Sequence, residues 1–314
     1  MKREIIERLW KQAEEKRELH REKFYLGEEK ECRLEYDGEA PVIRFRVFDN
    51  LPGVNAGFST RFGGVSSGGL GELNLGFGRG DDPFAVQRNY QIFCGSLGVE
   101  TGQLVLSDQV HGTDIACVSK EDTCAGIVAG DDTNSCQVEK KLTAVDGLLT
   151  EERGVCLVTA FADCVPLLFY DPVKGCIASS HSGWRGTASG MGRRTVEEME
   201  RRFGCKREDI LAVVGPSICQ NCYEVSEDVI DEMKKNFAAE EMEKIACASQ
   251  GKQKKYQLDL WAANVLLLQK SGLKPENIHV SGLCTCCNPE FFFSHRASGG
   301  QRGNLCGFIM LSSI

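Results

Sequence analysis

The chain predicts an α/β fold in one continuous domain, and three observations carry that reading. Apolar runs of strand length occur together with helical spacing: 165–170 (VPLLFY) and 176–180 (CIASS) read as strands, while 187–204 (TASGMGRRTVEEMERRFG) sets Met191, Val196, Met199 and Phe203 on one helical face before a glycine stop. The length of 314 residues, 42% hydrophobic, suffices for a sizeable core in one large domain or two small ones. No internal repeat and no linker composition interrupts the chain, which favours continuity.

Taken in order, residues 1–31 are dense in Glu, Lys and Arg, with Ile5, Ile6, Leu9, Trp10 and Ala13 marking one apolar stripe of an amphipathic helix. A solvated helix docked by that narrow face accounts for the pattern without a function of its own. Next, 31–48 (ECRLEYDGEAPVIRFRVF) holds two alternating runs around Asp37-Gly38, a hairpin signal. Segment 59–76 (STRFGGVSSGGLGELNLG) follows an arginine with a glycine-rich stretch and then Asn74. Arg61 offers a planar fork of donors, and glycines let backbone N–H groups approach an anion closely. The segment lacks the Walker lysine and the dinucleotide glycine spacing, so a glycine-rich surface turn beside an ion-paired arginine fits it equally. Leu104, Val105 and Leu106 then lead into a polar stretch containing His111-Gly112, which reads as a strand end opening on a cleft. Residues 119–145 are polar and turn-rich, and read as a surface insertion before the DGLLT strand at 146–150.

The most informative stretch is 161–186 (FADCVPLLFYDPVKGCIASSHSGWRG). Between its strands, DPVK is turn chemistry. A turn centred between Pro172 and Val173 pairs Asp171 with Lys174, and therefore Cys164 with His181. Facing residues lie about 4.5–5.5 Å apart, so a thiolate at about 2.3 Å and an imidazole at about 2.0 Å could share one zinc ion. Of the five histidines, His111 is the best third ligand. His20 lies in a charged helical segment and His279 in an ordinary strand, whereas His295 in FFFSHRASGG could also be functional. A His, Cys, His set leaves the fourth tetrahedral position open, as a working metal site requires. From spacing alone, a core cysteine beside two hydrogen-bonded histidines satisfies the same pattern. Two further cysteine groups stand out: Cys219 with Cys222, and Cys284 with Cys286 and Cys287. Their spacing permits a second zinc site or a redox pair, and needs neither.

The net charge of −8 and a pI near 5.4 argue against nucleic acid as a partner, because phosphate backbones are met by clustered Lys and Arg. No apolar run approaches a membrane span, and MKREIIERLWKQAEEKREL lacks the apolar core of a signal peptide. A cytoplasmic location is therefore expected, with most of the sixteen cysteines as buried thiols.

QVHG at 109–112, ADC at 162–164, HSGWRG at 181–186, GPSICQNCYEV at 215–225 and STRFGGVS at 59–66 together resemble the YfiH-like family, also called laccase-domain purine nucleoside phosphorylases. The resemblance runs from about Leu51 to the C-terminus. It implies a single mixed α/β sandwich domain at 32–314, preceded by the helical extension at 1–31, with zinc held by His111, Cys164 and His181, and copper as the other metal these ligands tolerate. It also implies phosphorolysis of adenosine, inosine, guanosine or methylthioadenosine, so that the expected partners are a purine nucleoside and inorganic phosphate, with adenosine deamination as a second activity. On this reading Arg61, Asp163 and Cys164 are the catalytic residues: Arg61 binds phosphate and Asp163 stabilises the sugar cation, although alternation along a strand turns Asp163 away from its ligand neighbour. A structural role for Asp163 fits as well. Arg61, Asn74 and His295 are the expected substrate contacts. The tail FFFSHRASGGQRG departs from the family's paired arginines: Ala297 follows Arg296, and the later Gly-Arg pair is shifted to Gln301-Arg302-Gly303. Three rivals remain: a copper-dependent polyphenol oxidase, a peptidoglycan-precursor editing amidohydrolase, and a metal-bound interaction module using the charged N-terminal helix.

Overall fold

The structure is a computed structural model that describes residues 2–21, 23–27, 29–126, 142–251 and 253–312. The middle of the expected insertion, 127–141, lies outside them.

The strands assemble into a mixed α/β sandwich. One sheet has seven strands in the order Cys32–Glu35, Val42–Phe45, Val54–Ser59, Leu305–Leu311, Cys156–Phe161, Leu104–Asp108 and Leu142–Thr143. A second has six, in the order Ile278–Val280, Leu211–Val214, Val165–Asp171, Cys176–Ser182, Gly147–Thr150 and Ile115–Cys117, and a small third sheet joins Glu224–Ser226, Lys255–Leu258 and Ala246–Ala248. The seven- and six-stranded sheets pack face to face, burying Phe58, Leu157 and Ile309 of the first against Leu148, Leu168 and Ile177 of the second. Thr159 and Ser179 share a 2.6 Å hydrogen bond across this layer, so the polar hydroxyls there are satisfied. Helices Met191–Phe203 and Leu260–Lys270 cover the outer face of the six-stranded sheet, where Val196, Met199 and Trp261 meet Leu167 and Phe169. Helix Pro83–Leu97 covers the outer face of the seven-stranded sheet. Strands buried on both faces explain why VPLLFY reads as a continuous apolar run.

The two expected hairpins form, each with a longer loop than its turn signal suggests. Cys32 pairs with Phe45 and Glu35 with Val42, so six residues rather than a tight Asp-Gly turn connect them. In the central hairpin Asp171 pairs with Cys176, not Lys174, and His181 faces Pro166. The difference is two residues, and its cause is local. Gly175 adopts φ +64° and donates to the Asp171 carbonyl at 2.8 Å, while the Asp171 carboxylate accepts from the N–H groups of Val173 and Lys174. The turn thus closes on Gly175, a conformation that glycine adopts without a Cβ penalty.

The N-terminal helix spans Lys2–Glu18 and buries Ile6, Leu9, Ala13 and Arg17. It stops well before residue 31. His20 turns inward onto Trp261, edge to face at 5.4 Å, and Arg17 donates to the Ser281 and Glu29 carbonyls. These contacts outweigh the helical propensity of the charged run. The helix shares its apolar layer with Phe291 and Leu283, and Trp10 lies 5.9 Å from Phe291. No described helix is long and apolar enough to cross a membrane.

Candidate active site

The two-residue shift keeps Cys164 and His181 on one face, because side chains alternate with period two. Ser182 faces Val165 and His181 faces Pro166, so Cys164 lies one step beyond the paired residues, beside Gly183, with His181 as its diagonal neighbour. His111 arrives on the loop after Leu104–Asp108 with φ +64°, and the three ligand atoms come within 4.8 Å of one another. Gly183 is what makes room. A Cβ there would stand 3.0 Å from Cys164 Sγ and 3.2 Å from His111 Cδ2.

Asp146, at the head of strand Gly147–Thr150, organises this centre and was not singled out by sequence reasoning. Its carboxylate is fully buried, accepts from His181 Nδ1 at 2.8 Å, and also accepts from the backbone N–H groups of Val110, His111 and Gly112 at 2.8–3.0 Å. It therefore directs His181 Nε2 toward the centre and pins the His111 loop with one group. Gln109 adds a second clamp, exchanging two hydrogen bonds with the backbone of Ala160. Burial alone would raise the Asp146 carboxyl, but these donors hold it below the usual carboxylate range. Burial likewise opposes ionisation of Cys164, yet the neighbouring imidazoles bring its thiol down to about 6. Against its own burial, His181 is raised to about 9 by Cys164 and Asp146. One thiolate and two imidazoles that converge, with the His111 side exposed to a cavity, fit a metal ion with an open coordination position.

That cavity has a volume of about 490 Å³, in the range of small-molecule sites. The three donors line it together with Phe77, Tyr90, Phe161, Arg79, Arg302 and Asn304. Among the described residues neither arginine pairs with a carboxylate. Both donate to Asn304 Oδ1, Arg79 Nε at 3.1 Å and Arg302 through NH1. Arg302 Nε is buried with no hydrogen-bond partner among the described residues. Burial, then the charge of Arg79, lowers Arg302 to about 10. Two cations and an unused donor in one cavity are the chemistry of an anion site.

The other expected site residues stand behind this cavity or beside it. Arg61 spends its fork on backbone carbonyls, Nε and NH2 on Gly71 and NH1 on Pro289, and is not among the cavity-lining residues. Asp163 has φ +83° and turns its carboxylate away, accepting from Thr285 Oγ1, Ser294 Oγ and the Arg296 N–H. Asn74 is fully buried and accepts from the Asn304 N–H at 2.9 Å, one step behind the arginines. His295 is exposed and absent from the lining. Arg79 carried no motif. Arg302 was visible only as a departure of the tail from the expected pattern.

Residues 55–312 match the family model described as multi-copper polyphenol oxidoreductase laccase. The purine nucleoside phosphorylase YlmD of Bacillus subtilis is 37% identical over 256 residues, covering 82% of this chain and 88% of that protein. The purine nucleoside phosphorylase of Bacteroides thetaiotaomicron is 33% identical, covering 86% and 96%. Among solved structures, YlmD from Geobacillus stearothermophilus superposes with a TM-score of 0.80 at 33% identity, covering 91% of this chain and all of that one.

Proposed function

Since the chain belongs to the multi-copper polyphenol oxidoreductase laccase family and has relatives named purine nucleoside phosphorylases, we propose that it is a zinc-dependent purine nucleoside phosphorylase. It would convert a nucleoside and inorganic phosphate to the free base and ribose 1-phosphate. The observation that carries this reading is the presence of an open His–Cys–His donor set and two arginines without a carboxylate partner among the described residues, in a single cavity.

In this proposal Arg79 and Arg302 bind the phosphate, whose oxygens supply the acceptor that Arg302 Nε lacks. Asn304, itself held by Asn74, sets the angle of both guanidinium groups. Phe77, half-buried in the cavity wall and stacked on the buried Tyr90, offers an apolar surface to the purine. A phosphate oxygen attacks the anomeric carbon as the glycosidic bond breaks and its electron pair leaves with the base. Orientation and charge complementarity supply the rate, since one anion must be brought against one carbon. His111, Cys164 and His181 would hold the zinc ion, which when bound would supply a Lewis acid for the nucleoside. Arg61 and Asp163 act as positioning residues. Arg61 ties the glycine-rich loop to the 289 segment, and Asp163 ties the Cys164 strand end to 285 and 294–296.

Copper oxidation of phenols is the weaker reading. It needs several histidine-rich centres, whereas His20 packs on Trp261, His279 bonds Glu31 and His295 stands on the surface.

The test is purified protein of known metal content incubated with adenosine, with and without phosphate, and the products separated by chromatography. Adenine and ribose 1-phosphate formed only with phosphate support the proposal. Inosine alone would move the activity to deamination. No nucleoside turnover would overturn it in favour of precursor editing or a binding role.

A further inference from the structure

We propose that Cys219, Cys222, Cys284 and Cys287 hold a second, structural zinc ion, separate from the His111–Cys164–His181 centre. The four cysteines form two C-x-x-C pairs, the spacing of zinc-binding knuckles, contributed by loops far apart in sequence. The fold brings these loops together through a parallel bridge between Ser217 and Cys284. Ser217 donates to the Leu283 carbonyl, and Thr285 donates back to Ser217, each at 3.1 Å. All four sulfurs then lie within 4.8 Å of one another, with Cys219–Cys287 at 3.8 Å and Cys222–Cys287 at 3.4 Å. Tetrahedral zinc with bonds of about 2.3 Å places its sulfurs about 3.8 Å apart. A disulfide needs about 2.05 Å, so the spacing is that of shared ligands rather than of a bonded pair.

Two backbone groups already point at the cluster. The N–H groups of Cys219 and Cys287 donate to Cys284 Sγ at 3.2 and 3.3 Å, an arrangement that favours a thiolate. Cys219 and Cys284 are buried and the other two half-buried. Four protein sulfurs leave no position for substrate, so the site is closed and its contribution is to folding.

Its place in the fold says what it would hold. The 217–222 loop donates from Ile218 N–H to the Asp163 carbonyl, and the 284–296 segment supplies all three donors to the Asp163 carboxylate. Asp163 immediately precedes Cys164. Lys16 of the N-terminal helix donates to the Cys287 carbonyl, so the same cross-link reaches the helix. The second ion would thus brace the backbone behind the catalytic ligand and anchor the extension.

The experiment counts zinc per chain in protein purified without added metal or chelator. It compares the full chain with Cys164→Ala and with the Cys222→Ser/Cys287→Ser double variant, and it loads Cys164→Ala with cobalt(II). The expected result is two equivalents in the parent and one in each variant, with a thiolate-to-cobalt charge-transfer band in Cys164→Ala. If the double variant does not fold, the parent count and the cobalt spectrum of Cys164→Ala decide. One equivalent in the parent that vanishes in Cys164→Ala overturns the proposal. So does an intact mass two hydrogens light with no metal, which would mean a Cys222–Cys287 disulfide. Zinc counts do not depend on nucleoside turnover, so this proposal and the phosphorylase reading fail separately.

Discussion

Replacing Asp146 with asparagine should weaken the metal centre without touching a ligand. The carboxylate accepts four hydrogen bonds, one from His181 and three from the backbone N–H groups of 110–112. An amide keeps one oxygen and sets an N–H2 against two of those donors. If the N–H2 faces His181, the imidazole must accept at Nδ1 and carry its proton on Nε2, the nitrogen aimed at the centre. If it faces Val110 and Gly112, the loop that carries His111 comes free. Loss of such an outer partner typically costs about 10- to 100-fold in metal affinity. Hydrogen bonds to a charged group are worth about 1.5–3 kcal/mol each, so losing two should lower stability by about 3 kcal/mol or more. The assay is competition for zinc against a coloured chelator, with thermal unfolding of the metal-free protein alongside. Wild-type zinc affinity in Asp146→Asn would refute the argument that this carboxylate sets the geometry of the centre.

Gly183→Ala should reduce zinc affinity with all three ligands present, because its Cβ would meet Cys164 Sγ at 3.0 Å and His111 Cδ2 at 3.2 Å; unchanged affinity in the chelator assay would show the centre has slack. Zinc binding at pH 7.5 should release about one proton from Cys164 and His181 taken together. With Cys164 at about 6 and His181 at about 9, the metal-free pair is a thiolate and an imidazolium, and only His181 must deprotonate. Affinity then falls as pH drops below about 9 and more steeply below about 6, as calorimetry in buffers of different ionisation enthalpy would record; no net release from this pair would contradict it. Arg302→Met should raise the phosphate KM about 10- to 100-fold, from loss of a charge-assisted contact of about 1.5–3 kcal/mol, while nucleoside binding is retained. Arg61→Met should instead lower thermal stability and leave the phosphate KM near wild type, since its donors are committed to the Gly71 and Pro289 carbonyls.

The convergence of Cys164 and His181 was legible because they flank one short hairpin, where turn chemistry and strand alternation constrain side-chain positions. The register estimate missed by two residues because Gly175 joined the turn, and even spacing preserved the face. Helix Met191–Phe203 was legible from its apolar spacing and the glycine at its end, Gly204, with φ +65°. The end of the N-terminal helix was not, because it is set by His20 meeting Trp261, a contact that charge composition does not encode. Asp146 carries no local signature: its partners come from a different loop and a different strand. The arginines illustrate the same limit from the other side. Arg61 sits in the sequence context of an anion loop and is used on nearby carbonyls, whereas Arg79 and Arg302 meet in the cavity from opposite ends of the chain.

The central claim, that the metal centre and the arginine pair act on one nucleoside and one phosphate, is tested most directly by following ribose 1-phosphate with phosphorus NMR. Inosine and phosphate would be incubated with the zinc-loaded protein, Cys164→Ala and Arg302→Met. The account predicts a ribose 1-phosphate signal from the parent and its loss or severe reduction in both variants, with Arg302→Met retaining bound zinc. A signal of parent strength in both variants, or none from the zinc-loaded parent, would contradict it.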